Sequence, residues 1–269
     1  MLKRLINAKE LIAIRADKNV VVVDLSSRKG YLIGHVPGAR YVSYADIVRS
    51  DGLVEGLLPT ASSFSVTLSR LGIRPESAII AYDDVGGTNA ARFLWTLESA
   101  NHLSVALLDG GIAAWKAQEF PLEEVEGSWL PSGYAVRFNE SRSANSDYIL
   151  QRLDDEGVVL LDVRSRAEYE GKDIRSLYGG HIPHAVHFEW TAGLNDDNNL
   201  CMRKKHDLLE ELSQLGVTPD KEVIVYCQSH RRSAYAYYML RVLGFAQVKG
   251  YPGAWSDWGN RQELPKAMV

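Results

Sequence analysis

The hydrophobic pattern of the chain is one of short, unbroken apolar runs set between longer mixed segments. Val20-Val21-Val22-Val23-Asp24, Ala78-Ile79-Ile80-Ala81-Tyr82, Val158-Val159-Leu160-Leu161-Asp162 and Glu222-Val223-Ile224-Val225-Tyr226 show no alternation of polar and apolar positions. A strand with one wet face alternates; one without alternation is buried on both faces, as in a parallel sheet covered by helices. Helical patterns lie between these runs, among them Ala90–Ala100 and Arg232–Leu243. This order of elements predicts an α/β fold. Residues 126–142 are rich in Ser, Gly and Pro, lack a period, and read as a linker.

The pattern occurs twice. Gly34-His35-Val36-Pro37-Gly38-Ala39 returns as Gly180-His181-Ile182-Pro183-His184-Ala185, and Leu71-Gly72-Ile73 as Leu215-Gly216-Val217. Gly110-Gly111-Ile112-Ala113-Ala114-Trp115 returns as Tyr251-Pro252-Gly253-Ala254-Trp255. His35 to Asp83 spans 48 positions and His181 to Cys227 spans 46, so the frames agree. The second copy carries about eight additional residues near Gly171–Tyr178. A period this long is a duplicated domain, not a solenoid repeat. The expected division is 1–125, a linker at 126–142, and 143–269.

Composition narrows the function classes. The chain has 269 residues, 46% apolar and 24% charged, enough for two cores. A net charge of -4 argues against nucleic acid as the partner. No apolar run reaches the roughly 18 residues that span a bilayer, and the first ten residues lack a signal-peptide core. Cys201 and Cys227 are the two cysteines, too few for a disulfide framework. A cytoplasmic monomer acting on small molecules, without membrane or nucleic-acid partners, is the expectation.

The chemistry concentrates after the strand 222–226. Cys227-Gln228-Ser229-His230-Arg231-Arg232-Ser233 leads directly into the helical pattern. A strand–loop–helix places Cys227 at the carboxyl edge of a parallel sheet, where α/β proteins carry their sites. Loop N–H groups and the helix start favour negative charge there. With His230, Arg231 and Arg232 nearby, the thiol is expected to ionise below its free value of about 8.5. Phosphatase-like loops need an arginine six positions after the cysteine; here that position is Ser233, and Arg232 stands at five.

These segments resemble the rhodanese family. Tyr31-Leu32-Ile33-Gly34-His35-Val36-Pro37-Gly38-Ala39 is similar to its amino-terminal signature. Tyr251-Pro252-Gly253-Ala254-Trp255-Ser256-Asp257-Trp258 is similar to the carboxyl-terminal one, with Asp257 where Glu is usual. The resemblance covers nearly the whole chain. It implies two tandem rhodanese-like domains, each a parallel sheet flanked by helices, and a catalytic persulfide on Cys227. The loop is similar to that of a bacterial thiosulfate sulfurtransferase subgroup, which implies transfer of sulfur from thiosulfate to cyanide or a thiol, without cofactor or metal. The alternatives are a 3-mercaptopyruvate sulfurtransferase and a non-catalytic sulfur carrier or sensor. Two thiosulfate ligands of the mammalian type would fall on Ser229 and near Glu168 and do not carry over. The donor-binding role passes to Arg231, Arg232 and His230, with Gln228 and Ser229 in the loop and Trp190 beside it. Arg231, mid-loop, is expected to hold the donor and Arg232 to fix the loop.

The first copy has Asp83 where the second has Cys227, so it is expected to be inactive, its loop repelling anions through Asp83 and Asp84. Arg164 and Glu168, four apart, are expected to pair. His181, His184 and His187 are interrupted by Pro183 and read as turn residues rather than metal ligands. Cys201 reads as a spare thiol.

Overall fold

The computed structural model describes residues 2–268. Two parallel sheets organise it. The first has the strand order Leu5–Ile6, Val105–Leu108, Ala78–Tyr82, Val20–Asp24, Arg40–Tyr41. The second has the order Val248–Gly250, Glu222–Tyr226, Val158–Asp162, Val186–His187. Every pairing in both is parallel. The unbroken apolar runs are the central strands of each sheet, and their side chains are buried.

The chain divides into two compact units, and the division is not one cut. The first unit holds the chain up to Val48, Pro59–Asn139 and Asn195–Met202. The second holds Arg49–Leu58, Glu140–Leu194 and the chain from Arg203 on. The antiparallel hairpin Arg49–Asp51 and Val54–Leu57 thus lies in the first copy of the sequence and belongs to the second unit. The small ladder of Leu194–Asn195 with Cys201–Met202 is its counterpart in the second copy, and Cys201–Met202 belongs to the first unit.

The duplication extends to single contacts. His35 stacks on Tyr31 at 3.8 Å and its Nδ1 meets the Tyr31 carbonyl; His181 stacks on Tyr169 at 3.8 Å and meets the Tyr169 carbonyl. The Tyr82 hydroxyl accepts the Val36 N–H, as that of Tyr226 accepts the Ile182 N–H. Each histidine therefore ties its turn to the short helix before it, and each strand tyrosine ties the turn to the sheet. His184 takes the left-handed conformation, φ +63°, of its counterpart Gly38 at +80°. A side chain is strained there but tolerated because the residue is exposed.

The helix Arg232–Leu243 follows the Cys227 loop and is almost wholly buried, stopping at Gly244 in the left-handed region. Helix Thr88–Ser99 occupies the same place in the first unit. Residues 126–142 contain neither helix nor strand. Ser132 and Val136 bind this segment to Ser69 and Ser65 in the first unit.

Candidate active site

Cys227 sits at the end of strand Glu222–Tyr226 with 1% of its surface exposed. Its carbonyl accepts the Trp255 N–H at 3.0 Å, and the Gln228 carbonyl accepts the Ser256 N–H at 2.9 Å. Both donors lie in the helix Ala254–Trp258, which anchors the loop from behind. The Ser233 hydroxyl lies 3.4 Å from the sulfur. Burial alone would push the thiol up. The Arg232 charge, the Ser233 hydroxyl and the N–H groups of Ser233 and Ser229 outweigh that and hold it below the usual thiol value.

Arg232 owes its position to Glu168. The guanidinium donates two bonds to the carboxylate, 2.6 Å to Oε2 and 2.8 Å to Oε1. Glu168 also closes a capping box with Ser165 at the start of the short helix Arg166–Tyr169. Burial opposes its charge, but Arg232 and Ser165 hold its carboxyl down at about 2. A planar, doubly bonded pair of this kind fixes the direction of the guanidinium as well as its charge. The expected pairing of Arg164 with Glu168 does not occur. Arg164 precedes the capping residue, so helical spacing does not apply to it, and it turns back onto Asp162 and the Gly180 carbonyl.

The remaining predicted site residues are placed unequally. Arg231 caps the helix Arg232–Leu243 and is partly exposed. Gln228 and Ser229 lie in the loop, and Gln228 Nε2 donates at 3.2 Å to the Arg175 carbonyl and to the Ser176 hydroxyl. Those two residues belong to the insertion that the first copy lacks. His230 is turned inward: it is 0% exposed, φ is +55°, and Nδ1 lies 2.7 Å from the Ser233 hydroxyl beside the sulfur. Trp190 begins a 3-10 turn and packs edge-on against Tyr235 of the helix Arg232–Leu243, at 6.0 Å. His181, His184 and His187 are engaged separately, with the Tyr169 carbonyl, Asp154 and the Arg164 carbonyl. Cys201 lies in the first unit beside Asp109, and burial, with help from that carboxylate, pushes its thiol up to about 11.

The first unit keeps the cradle and fills it with its own carboxylate. Asp83 Oδ1 accepts the N–H groups of Val85 and Gly87 at 2.9 and 2.8 Å. Oδ2 accepts those of Asn89 and Ala90 at 2.8 and 2.9 Å. Burial pushes this carboxyl up, and the four donors oppose it. The N–H groups that would receive a donor are thus taken up by Asp83; Asp84 turns aside to the Ser27 N–H and hydroxyl.

The rhodanese-like domain matches twice, over residues 7–118 and 145–261. The chain belongs to the rhodanese family. Its similarity to a thiosulfate sulfurtransferase of Azotobacter vinelandii is 36% identity over 97% of this chain and 95% of that protein. To a thiosulfate sulfurtransferase of Pseudomonas aeruginosa it is 37% over 91% and 90%. The anaerobic ergothioneine biosynthesis enzyme of Chlorobium limicola superposes with a TM-score of 0.87 over 98% of this rhodanese and 70% of that chain; at 21% identity this likeness concerns the fold. Two tandem α/β domains with parallel sheets are thus common to sequence, structure and family.

Proposed function

We propose that this rhodanese is a thiosulfate sulfurtransferase working through a persulfide on Cys227. The observation that carries the reading is the Cys227 thiol held below its usual value by a fixed guanidinium, a hydroxyl and loop N–H groups. A buried thiol whose surroundings favour its ionised form is suited to act as a nucleophile. It attacks the outer sulfur of thiosulfate; the sulfur–sulfur bond of the donor breaks and sulfite leaves with its electron pair. The product is the Cys227 persulfide anion, stabilised by the same groups. Cyanide or a thiol then attacks the outer sulfur and the cysteine thiolate departs. Arg231 holds the sulfonate of the donor, and Gln228 and Ser229 complete the loop around it, with Trp190 alongside. Arg232 stays with Glu168 and sets the charge at the sulfur.

Two features support thiosulfate as the donor: a cationic loop, which favours a dianion, and the similarity to the two relatives of that activity. Intact-mass spectrometry tests the reading. Thiosulfate adds the mass of one sulfur to the wild type and to Cys201→Ser, cyanide removes it, and Cys227→Ser adds none. Loading of Cys227→Ser, or a kcat/KM higher for mercaptopyruvate than for thiosulfate, overturns it.

A further inference from the structure

The hairpin Arg49–Leu57 meets the active loop where no side chain is permitted. A Cβ on Gly56, which has φ +68°, would lie 1.8 Å from the Ser229 carbonyl oxygen. The hairpin is tied down beside this contact. The Glu55 N–H donates to Ser256 Oγ at 2.8 Å, and Ser256 Oγ in turn donates to the Gly253 carbonyl at 2.6 Å. Val54 and Leu57 lie against Gly253.

Three successive carbonyls of the loop are therefore engaged from outside. That of Cys227 binds the Trp255 N–H, that of Gln228 the Ser256 N–H, and that of Ser229 rests on Gly56. In a trans peptide the N–H points opposite to the C=O. Fixing these carbonyls outward aims the N–H groups of Gln228, Ser229 and His230 to the other side, where the sulfur lies. The Ser229 N–H is among the groups acting on Cys227. The counterpart segment makes a different set of contacts. In the first unit Asn199 and Cys201 lie against Gly110, and the Met202 N–H binds Asp109, while the Asp83 carbonyl is held by the Ile112 N–H.

The geometry points to Gly56 and Ser256 as positioning residues for sulfur transfer, clamping the outer side of the Cys227 loop so that its N–H groups are aimed before the negative sulfur forms. The clamp acts on the persulfide chemistry proposed above, and rests on that reading. Its benefit is preorganisation: donors already aimed need no rearrangement when charge develops.

Two variants separate positioning from mere hairpin integrity. Gly56→Ala and Gly52→Ala both put a side chain at positive φ, but a Cβ on Gly52, at φ +56°, meets nothing within 4 Å. In a Cys201→Ser background, the ultraviolet absorbance of the thiolate is titrated against pH, and the rate of persulfide formation with thiosulfate is followed by mass. Gly56→Ala is expected to move the Cys227 titration upward and slow loading about tenfold to a hundredfold. Gly52→Ala is expected to stay within about twofold of the wild type. Ser256→Ala, which loses the tie to Glu55 and keeps the Gln228 anchor, shifts both readouts in the same direction by less, and decides the matter if Gly56→Ala does not fold. A folded Gly56→Ala with unchanged titration, equal impairment of Gly52→Ala, or an unchanged Ser256→Ala overturns the clamp. The titration needs no donor, so failure of the wild type to load would count against the function alone.

Discussion

Glu168→Gln removes one charge and keeps the shape of the side chain that orients Arg232. The wild-type carboxyl is held at about 2 against an ordinary value of 4.5. At roughly 1.4 kcal/mol per unit this amounts to about 3 kcal/mol of stability at neutral pH. The side chain is 1% exposed, so solvent screening does not reduce it much. Because the folded value is depressed, the contribution is complete above about 4.5 and is lost as pH falls through about 2, with about half remaining at pH 3. Urea midpoints of wild type and variant between pH 7 and pH 3 measure it. The expected gap is about 3 kcal/mol at pH 7 and about 1.5 kcal/mol at pH 3. A gap that does not change with pH refutes the ionised pair as its source.

Arg232→Ala leaves Glu168 buried without its partner; it is expected to lose about 3–5 kcal/mol of stability and to raise the thiolate titration of Cys227, both absent in Arg231→Ala. Arg231→Ala is expected to raise the KM for thiosulfate at a cost of about 1.5–3 kcal/mol in kcat/KM, and equal donor loss in both variants with unchanged titrations would make both arginines donor ligands. Asp83→Ala strips four N–H groups, two of them buried, of their acceptor and is expected to cost about 2–3 kcal/mol by urea unfolding, more than Asp83→Asn; no loss would mean the cradle does not need an occupant. Alkylation of Cys201, followed in Cys227→Ser, is expected to keep rising with pH to about 11, and a plateau near the ordinary thiol value would deny the burial effect.

The sheets were legible because their signal is local. Residues 223–226 are an apolar run between Lys221-Glu222 and the Cys227 loop, and the strand Glu222–Tyr226 ends where the run does. Helix Arg232–Leu243 likewise coincides with its sequence pattern. Partners across the chain were not legible. Spacing suggested Arg164 for Glu168, but Ser165 starts the helix, and the partner that matters, Arg232, is 64 residues away. His230 read as a cation for the donor because its type and place in the loop were visible and its left-handed backbone was not. Asp83 looked like a lost nucleophile; the sign that its side chain fills its own loop was the following Gly86-Gly87, which let the loop wrap it closely. The hairpin at Gly56 gave no periodic signal, since its role depends on which unit it joins.

That exchange of segments has a consequence for synthesis on the ribosome. The first unit includes Asn195–Met202, so it is not complete until those residues have emerged, long after the linker that separates the two copies. The second unit draws Arg49–Leu58 from a stretch translated near the beginning. Domains of a tandem duplication ordinarily mature one after the other from the amino terminus. Here the first waits on residues from the second copy and the second uses residues already made, and a gene cut at residues 126–142 would yield two fragments that each lack a piece of their own fold.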